Sequence, residues 1–550
     1  MTTPRILAAA LLAAASVNAA SVSIVVLATT DLHGNLYPID YFTGKPAARG
    51  LAKIATLVHA ERAREPNTLL VDCGDTIQGT PLEYVYQKSR PLRADPMMLA
   101  MNRLGYDAMT LGNHEFNFGL VNLRKARSNA RFPWLSANTA LTPGSKARTF
   151  ESYLIKTVGG VKVAVIGITT PAVPTWEKPE NYAGYRFEDG VETVRKTLAS
   201  LTRERPDLVV VAAHAGLGDG ASDTENMVRA IAAVPGIDAI VFGHTHQEMA
   251  EQRIGDVLLA QPKNWGMSLA RLEFTLESGQ GGPWRVVEKK SGVVKVTDRT
   301  PADSEILEIA KPFHEAAGRY LSTEIARSAA PLDGILGRVA DSALVDAIHE
   351  VQLHYAKAEV SFASLFSPRV SVPAGPVTVR QIASLYIYEN ELYAVEGDGR
   401  MVKDALENAA RFFASCSGEA CGKGPLTNKN VPGFNYDMAQ GVSYEIDLSQ
   451  PEGSRIVNLT FRGQPLAPDR KLRIALNNYR AGGSGGYSMF RGAKVVWRSA
   501  EDIRQLMIDY FTARGTVPQR PDGNWRILPE LARKTLELEA QAEAARTGLL

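Results

Sequence analysis

Seven polar side chains that could bind metal ions follow apolar, strand-like runs in the first half of the chain. They are two aspartates, one asparagine and four histidines: Asp31, His33, Asp75, Asn113, His214, His244 and His246. Members of the Asp31–His33 and His244–His246 pairs are two residues apart, so in extended chain they point to the same side. Imidazole and carboxylate groups without thiolates suit Mn²⁺, Zn²⁺, Fe or Co. One pair alone fits a solvated loop equally well, but the whole set predicts two metals that share a bridging carboxylate.

A pair of metal ions has a specific chemical use. Two cations about 3.5–4 Å apart can generate hydroxide from water at neutral pH and hold a phosphoryl group for in-line attack. Phosphate monoesters hydrolyse so slowly that an enzyme must accelerate the reaction by up to about 10²¹-fold. Electrostatic stabilisation by bound cations can supply such a factor. The ligand set therefore favours phosphoester hydrolysis.

The elements that must position these side chains alternate between two types. Five β-branched runs predict buried strands at 22–30, 68–75, 161–170, 207–216 and 237–246. Helix-like segments lie between them, at 50–65, 92–104, 189–203 and 222–234. This order predicts a layered α/β domain whose ligands bind beyond the carboxyl ends of the strands. Five of the nine histidines lie at those ends; we interpret the others as surface or packing residues: His59, His314, His349 and His354.

Length and composition limit the remaining possibilities. A chain of 550 residues predicts two or more domains, and its net charge of +2 gives no reason to expect a nucleic-acid polymer as partner. No later segment is apolar enough to predict a membrane span. Residues 1–20 contain Arg5, an apolar block and then small residues, which is typical of an export signal cleaved after Ala19 or Ala20. A buried N-terminal helix is the alternative.

The predicted export affects how the three cysteines are interpreted, because disulfides persist in oxidising compartments. Cys416 and Cys421 are five residues apart in a loop-like stretch, where a disulfide is expected in an oxidising compartment. Two unpaired surface thiols are the alternative. Cys73 lies inside an apolar run and is expected to be buried as a small hydrophobic residue.

Five blocks occur in a fixed order along the chain: "TTDLHGN", "DCGDTIQGTP", "LGNHEFNFGL", "AAHAGLG" and "FGHTHQ". This series resembles the calcineurin-like metallophosphoesterase superfamily, and with the second half of the chain it resembles the exported 5′-nucleotidase family. "GDTIQGTPL" and "GNHEFNFGL" are more similar to the 2′,3′-cyclic-nucleotide 2′-phosphodiesterase/3′-nucleotidase branch. The resemblance implies an α/β fold, with a layered α/β/β/α catalytic domain followed by a smaller α/β C-terminal domain.

The resemblance also implies a role for each matching residue. Asp31, His33 and His246 would bind the first metal, Asn113, His214 and His244 would bind the second, and Asp75 would bridge both. His114 would stabilise charge that develops on the phosphoryl group or the leaving oxygen. Family 5′-nucleotidases orient this histidine with an aspartate three residues later, where the present chain has Asn117. An amide stabilises an imidazolium less well than a carboxylate, which weakens a strict 5′-nucleotidase interpretation. Glu115 is interpreted as structural.

The predicted division is a signal at 1–20, a catalytic domain at 21–296, a connector with one helix and no strand at 297–332, a substrate-binding domain at 333–530 and a solvated helical tail at 531–550. By resemblance, Tyr436, rather than Phe434, and Tyr487 would stack on the base of a nucleotide. The stretch "SLFSPRV" replaces an N-G-G-x-R-like segment of the family, and Arg369 would keep its phosphate-binding role. The alternative for Tyr436 and Tyr487 is that both are ordinary core residues.

The expected protein is an exported monomer, periplasmic or secreted, with two divalent metal ions such as Mn or Zn. It would hydrolyse 2′,3′-cyclic nucleotides and 3′-nucleotides by attack of metal-bound hydroxide on phosphorus, for nucleotide catabolism and salvage. A 5′-nucleotidase or nucleotide-sugar hydrolase is the first alternative. A secreted nucleotide-binding protein without catalysis and a sulfur-ester hydrolase are more distant ones.

Overall fold

The structure is a computed structural model that describes residues 20–89, 94–220, 223–279, 282–388 and 390–547. The predicted export signal lies outside the described residues except for Ala20. The strands up to residue 295 are β1 (Ala20–Thr29), β2 (Thr68–Asp72), β3 (Ala108–Thr110), β4 (Trp134–Leu135), β5 (Thr139–Leu141), β6 (Tyr153–Val158), β7 (Val161–Thr169), β8 (Tyr185–Phe187), β9 (Leu208–His214), β10 (Ala239–Phe242), β11 (Met249–Ile254), β12 (Val257–Gln261), β13 (Ser268–Ser278) and β14 (Arg285–Lys295). The helices of this half are α1 (Leu51–Arg64), α2 (Pro81–Ser89), α3 (Pro96–Leu104), α4 (Gly119–Asn129), α5 (Val173–Trp176), α6 (Gly190–Leu201) and α7 (Val228–Ala232).

Two six-stranded sheets form the centre of the first half. Their strand orders are β14-β13-β1-β2-β3-β4 and β11-β12-β10-β9-β7-β6. Alternate residues of β1 point to opposite faces, so Ile24 and Val26 pack between the sheets while Val25 and Leu27 pack among the helices outside. The opposite face of the second sheet packs on α6 and α7. The predicted α/β/β/α layering is confirmed.

The parallel strands explain why the predicted ligands can meet. β1, β2 and β3 are parallel neighbours in one sheet, and β7, β9 and β10 are parallel neighbours in the other. The carboxyl ends of parallel neighbours lie at the same edge of a sheet. The loops after β1, β2 and β3 therefore meet the loops after β9 and β10 at one end of the layered core.

The connector differs from its prediction. Its helix, α8 (Ser304–Leu321), is capped by the preceding Asp303, whose side chain accepts the Glu305 and Ile306 N–H groups. α8 buries an apolar stripe and packs on α2 and α3. The next strand, β15 (Glu324–Ser328), lies inside the stretch predicted to contain no strand, so that part of the prediction is wrong. β15 belongs with the C-terminal half because it pairs with β19.

The C-terminal half is a second α/β unit built on a five-stranded sheet in the order β21-β17-β25-β20-β26 and a four-stranded sheet in the order β24-β23-β22-β27. Its further strands are β16 (Leu332–Asp333), β17 (Val360–Ser364), β18 (Ser371–Val372), β19 (Gly375–Thr378), β20 (Glu391–Asp398), β21 (Asp437–Gln440), β22 (Ser443–Asp447), β23 (Ile456–Phe461), β24 (Gln464–Pro465), β25 (Lys471–Asn477), β26 (Val495–Asp502) and β27 (Trp525–Leu528). Its helices are α9 (Ala343–Ala356), α10 (Val379–Leu385), α11 (Gly399–Ala410), α12 (Asn478–Ala481), α13 (Ile503–Arg514) and α14 (Glu530–Arg546). No helix in the described ranges has the length and apolarity needed to span a bilayer.

The C-terminal tail is helical, as predicted, but it is not a solvated extension. α14 buries Ala532 and Leu536 against the second domain. Its Glu539 accepts the N–H of Leu426 at 2.7 Å, and the Thr535 hydroxyl donates to the Cys421 carbonyl at 2.8 Å. These contacts bind the tail to the loop that carries the disulfide.

The cysteine predictions are confirmed. Cys416 and Cys421 form a disulfide, with their Cα atoms 4.9 Å apart. Cys73 is a buried free thiol at the end of β2.

Candidate dinuclear metal centre

Two groups of ligand atoms lie side by side at the loop end of the layered core. Asp31, His33 and His246 place one ligand atom each within 4.8 Å of one another, and Asp75, His214 and His244 do the same. In the first group the two histidine Nε2 atoms are 3.0 Å apart, and His246 Nε2 is 3.4 Å from Asp31 Oδ1. Loops from both sheets contribute to each group.

Asp75, a member of the second group, also faces the first group. Its Oδ2 atom is 3.0 Å from His214 Nε2 and 3.9 Å from His33 Nε2. Asn113 Oδ1 lies 3.0 Å from His214 Nε2 and so adds a fourth side chain to the second group. The structure thus brings all seven predicted ligands together, with the carboxylate that was predicted to bridge in the central position.

The hydrogen bonds of the ligands fit a metal centre. His33 Nδ1 lies 3.0 Å from the Gln78 carbonyl, and His214 Nδ1 lies 2.8 Å from the Cys73 carbonyl. A carbonyl oxygen only accepts, so each Nδ1 carries the hydrogen and each Nε2 remains available to a cation. Oxygen and nitrogen donors held in this way suit small divalent ions such as Mn²⁺ or Zn²⁺.

The backbone at the ligands adopts a conformation that side chains rarely tolerate. Ten non-glycine residues of the described ranges have positive φ, and half of them are predicted ligands: Asp31, His33, Asp75, His244 and His246. Such conformations cost about 1–3 kcal/mol each and persist where the surrounding structure enforces them. Gly243 shows the crowding, because a Cβ atom there would lie 1.8 Å from Thr30 Oγ1. Positioning these side chains therefore lowers the stability of the fold.

The electrostatics of the predicted ligands follow from burial and mutual contact. Burial lowers the pKa of His33 to about 4, so its imidazole is neutral at neutral pH. Burial alone would raise the pKa of Asp75, but the nearby histidine charges, with His214 first, bring it well below its usual range. Burial would lower the pKa of His214, yet the charge and hydrogen bond of Asp75 raise it to about 10. A bound cation would replace the His214 proton in this ion pair.

His114 lies beside the ligands without belonging to either group. Its Nδ1 atom is 2.6 Å from Asn117 Oδ1, and its Nε2 atom is 2.9 Å from the Tyr479 hydroxyl of the C-terminal half. The Asn117 side-chain amide donates to Glu177 Oε2 at 2.7 Å. No role was predicted from the sequence for Tyr479 or Glu177. The asparagine at position 117, where the family has a carboxylate, was a reason to look for a carboxylate elsewhere.

Glu115 has the structural role that the sequence indicated. Its buried carboxylate accepts the N–H groups of Asp75 at 2.9 Å and Gly112 at 2.7 Å. It also accepts the Thr76 N–H at 2.6 Å. These bonds join the loops after β2 and β3, and so they hold Asp75 next to Asn113.

The structure corrects the predicted aromatic pair. Tyr436 is 1% exposed and stacks on Phe412, and Tyr487 is 0% exposed. The Tyr487 hydroxyl donates to the Asn435 carbonyl and accepts the Asp437 N–H, both at 3.1 Å. Side chains this buried present no face to a base, so both are core residues here.

Phe434 is the aromatic residue of this loop that reaches the surface. Its side chain is 46% exposed. Its carbonyl accepts a hydrogen bond from Arg480 at 2.6 Å, and Arg480 directly follows Tyr479, the partner of His114. Phe434 therefore lies on a loop that is tied to the segment beside the metal centre.

Among the described residues, the Arg369 side chain makes no hydrogen bond or ion pair with the predicted metal ligands or with the Phe434 loop, so its predicted phosphate-binding role is not supported. It is exposed, and its charge contributes, after those of Arg546 and Lys429, to the lowered pKa of Glu543 on α14. Arg338 is a second cation next to the Phe434 loop, besides Arg480, because its guanidinium packs on Gly433 and donates to the Leu365 carbonyl at 2.7 Å. Burial lowers the pKa of Arg338 to about 10. The sequence offered no signal that separated Arg338 from other arginines.

Comparisons with known proteins agree with this geometry. Residues 24–248 match the family model of calcineurin-like phosphoesterases, and residues 324–492 match that of the 5′-nucleotidase C-terminal domain. The layered fold and the ligand set define a metal-dependent hydrolase of phosphoester bonds. The chain belongs to the 5′-nucleotidase family of calcineurin-like phosphoesterases.

Individual relatives are similar to the chain over most of its length. It is 32% identical to the 2′,3′-cyclic-nucleotide 2′-phosphodiesterase/3′-nucleotidase of Salmonella typhimurium, over 94% of this chain and 91% of that one. It is also 32% identical to the trifunctional nucleotide phosphoesterase protein YfkN of Bacillus subtilis, over 93% of this chain, but it spans only 39% of that protein's length. The solved 5′-nucleotidase precursor of Thermus thermophilus is 26% identical with a TM-score of 0.66, covering 92% of this chain and 100% of that one.

Proposed function

We propose that this protein hydrolyses 2′,3′-cyclic nucleotides and 3′-nucleotides at a centre of two divalent cations. The observation that carries the proposal is the position of Asp75 between two ligand groups, with the imidazole of His114 beside them. A relative that is 32% identical over nearly its whole length carries this activity in its name. Asn117 supports the same branch, since the 5′-nucleotidases that the chain resembles have an aspartate at that position.

The residues divide the work in a simple way. When bound, the two cations activate water and neutralise charge on the phosphoryl group. Asp31, His33 and His246 would hold one cation, Asn113, His214 and His244 would hold the other, and the Asp75 carboxylate would be shared between them. His114 has Nδ1 engaged by Asn117 at 2.6 Å, which leaves Nε2 to face the substrate. There the imidazolium form, with a second hydrogen on Nε2, stabilises charge on the phosphoryl group or donates the Nε2 proton to the leaving oxygen, which leaves the neutral ring with its hydrogen on Nδ1.

Recognition of the nucleoside falls to the C-terminal half. Phe434 offers an exposed ring on which any base can stack. Arg338 adds a positive charge at the neighbouring Gly433. The Tyr479 hydroxyl lies on His114 Nε2, so substrate must displace it to reach the imidazole. Binding therefore requires α12 or its side chains to move.

A 5′-nucleotidase is the second candidate, and it is favoured by the likeness to the Thermus structure, which carries that name. The two candidates share the metal centre and differ in how the C-terminal half orients the ribose. We therefore propose comparing 2′,3′-cAMP, 3′-AMP and 5′-AMP as substrates, each with Mn²⁺ and with EDTA. Cleavage of the first two that EDTA abolishes is expected. Preference for 5′-AMP would select the second candidate, and no turnover of any would refute a nucleotide substrate.

We further propose that the protein is exported and acts as a monomer in nucleotide catabolism and salvage. The pattern of residues 1–20 and the Cys416–Cys421 disulfide support export, because disulfides persist in oxidising compartments. Cell fractionation and the N-terminal sequence of the mature protein test this proposal. Recovery of the uncleaved chain in the cytoplasm would contradict it, and size-exclusion chromatography tests the oligomeric state.

A further inference from the structure

The histidine beside the metal centre is oriented by an amide where its family resemblance leads one to expect a carboxylate. A carboxylate is nevertheless present one hydrogen bond further away. His114 Nδ1 contacts Asn117 Oδ1 at 2.6 Å, and Asn117 Nδ2 contacts Glu177 Oε2 at 2.7 Å. Glu177 is only 6% exposed, so water competes little for these bonds.

The partners of Glu177 allow one direction for this series of bonds. Its second oxygen, Oε1, accepts the Asn181 side-chain amide and the Lys178 N–H, both at 2.8 Å. A carboxylate only accepts, so the NH₂ group of Asn117 must face Glu177 and its oxygen must face His114. An amide oxygen in turn requires a hydrogen on Nδ1 of the imidazole. The carboxylate thus determines the hydrogen position on a ring that it does not touch.

The segment that carries Glu177 is held from several sides. Its N–H closes α5 by donating to the Val173 carbonyl at 3.0 Å. The preceding Trp176 lies against the ligand His244 at a ring distance of 5.5 Å and stacks on Tyr479 at 5.6 Å. Asn478 of the C-terminal half donates to the Trp176 carbonyl at 2.7 Å. Glu177 is therefore a fixed reference point for the imidazole.

We propose that Glu177 is a positioning residue that acts on His114 through Asn117. It holds the Asn117 amide in one orientation, keeps the hydrogen on His114 Nδ1 and directs Nε2 toward the reacting phosphate. The inference rests on the proposed function of His114 and adds a residue to it. Asn117 and Glu177 together replace the single aspartate of the resembling 5′-nucleotidases.

Exchange of the amide and the carboxylate tests this arrangement. In E177Q, the oxygen of the new glutamine accepts the Asn181 side-chain amide and the Lys178 N–H. Its NH₂ group then faces the NH₂ group of Asn117, and two donors meet. Asn117 must then turn over, and His114 Nδ1 meets an NH₂ group instead of an oxygen. In the double variant N117D/E177Q every donor again faces an acceptor, because the carboxylate and the amide have changed places.

The kinetic expectation separates positioning from folding. E177Q lowers kcat for 3′-AMP by about 10- to 100-fold, the loss typical when a functional histidine loses its outer partner. KM and metal content stay unchanged, and bis(p-nitrophenyl) phosphate loses much less activity because its leaving group needs no proton. N117D/E177Q recovers most of kcat. The matched control is E180Q, which changes an exposed glutamate of the same segment. We expect this variant to have the wild-type kcat.

A second readout does not need turnover. Ring ¹⁵N chemical shifts of selectively labelled histidines, with His114 assigned from H114A, report which nitrogen carries the hydrogen. We expect a protonated Nδ1 in the wild type and in N117D/E177Q, and an unprotonated Nδ1 in E177Q. If the wild type cleaves no nucleotide, the proposed function falls and these shifts alone decide the inference. Equal shifts in E177Q and wild type, or an impaired E177Q that the double variant does not rescue, would overturn it.

Discussion

Arg480 joins two segments of the C-terminal half that lie next to the metal centre. Its guanidinium contacts the Asp437 carboxylate at 2.8 and 3.0 Å, and it donates to the Phe434 carbonyl at 2.6 Å. The ring of Tyr487 lies 4.5 Å from the guanidinium carbon. Both charged side chains are buried, at 6% and 2% exposure. Replacement R480M should therefore disturb the loop of Phe434 and the helix of Tyr479 together.

The size of the effect follows from what R480M leaves behind. Removing one partner of a buried ion pair costs about 3–5 kcal/mol, because the other charge stays buried without compensation. The Phe434 carbonyl also loses its Arg480 donor, and the single Ser364 hydroxyl hydrogen is shared between that carbonyl, 3.0 Å away, and the Asp437 carboxylate. For a domain of this size, each kcal/mol lowers Tm by about 2–4 °C, so we expect a decrease of about 6–20 °C.

Thermal unfolding of the metal-loaded protein, followed by calorimetry, measures this change, and nucleotide kinetics measure its functional side. R411M is the matched control, because Arg411 pairs with Glu452 at 2.9 Å with both side chains half exposed. Exposed pairs contribute at most about 1 kcal/mol. We expect R480M alone to lower Tm strongly and to raise KM for 3′-AMP, with metal content unchanged. A Tm equal to that of R411M would refute the structural role of the pair.

Three further predictions concern the metal centre, the base and the core. D75N should retain fewer than two metal equivalents by elemental analysis and lose more than about 100-fold in kcat, because an amide cannot neutralise two cations; full metal content would contradict a bridging role. F434A should raise KM for nucleotides by about 5- to 150-fold at unchanged kcat, since a base stack contributes about 1–3 kcal/mol; an unchanged KM would exclude the stack. Burial lowers the pKa of His349 to about 3, so the unfolded chain binds a proton there between pH 6.5 and 3 that the folded chain does not. The contribution of neutral His349 to the free energy of unfolding is therefore fully present above pH 6.5 and decreases by about 1.4 kcal/mol per pH unit between pH 6.5 and 3. H349Q should lack this part of the pH dependence in urea unfolding, and a slope identical to that of the wild type would refute the prediction.

The catalytic half could be predicted from the sequence because its signals are local. Buried parallel strands require continuous apolar runs, and the predicted run 161–170 corresponds to the strand Val161–Thr169. Ligands that follow such runs must meet at one edge of the sheets, which is why seven residues far apart in the chain could be grouped. The export signal stays a prediction, since it lies outside the described residues.

The predictions failed where exposure decides a role. Tyr436 and Phe434 are two residues apart in one loop, and the resemblance to the family segment selected the tyrosine. The packing of Phe412 and the neighbouring core buries Tyr436 and leaves Phe434 outside. The same limit applies to Arg369 and Arg338, whose surroundings come from segments distant in the chain.

By itself, the sequence determined the layered α/β fold of the first half and predicted the seven metal ligands, and the resemblance of its five motifs indicated the class of the protein. The fold and the candidate ligands depend on residue type and on periodicities of two to four residues, which are properties of the chain alone. Only the tertiary structure decided which residues orient His114. Asn117 is separated from Glu177 by 60 residues, and His114 from Tyr479 by 365, yet each pair is joined by one hydrogen bond. Such contacts arise when separate elements pack, and no local pattern encodes them.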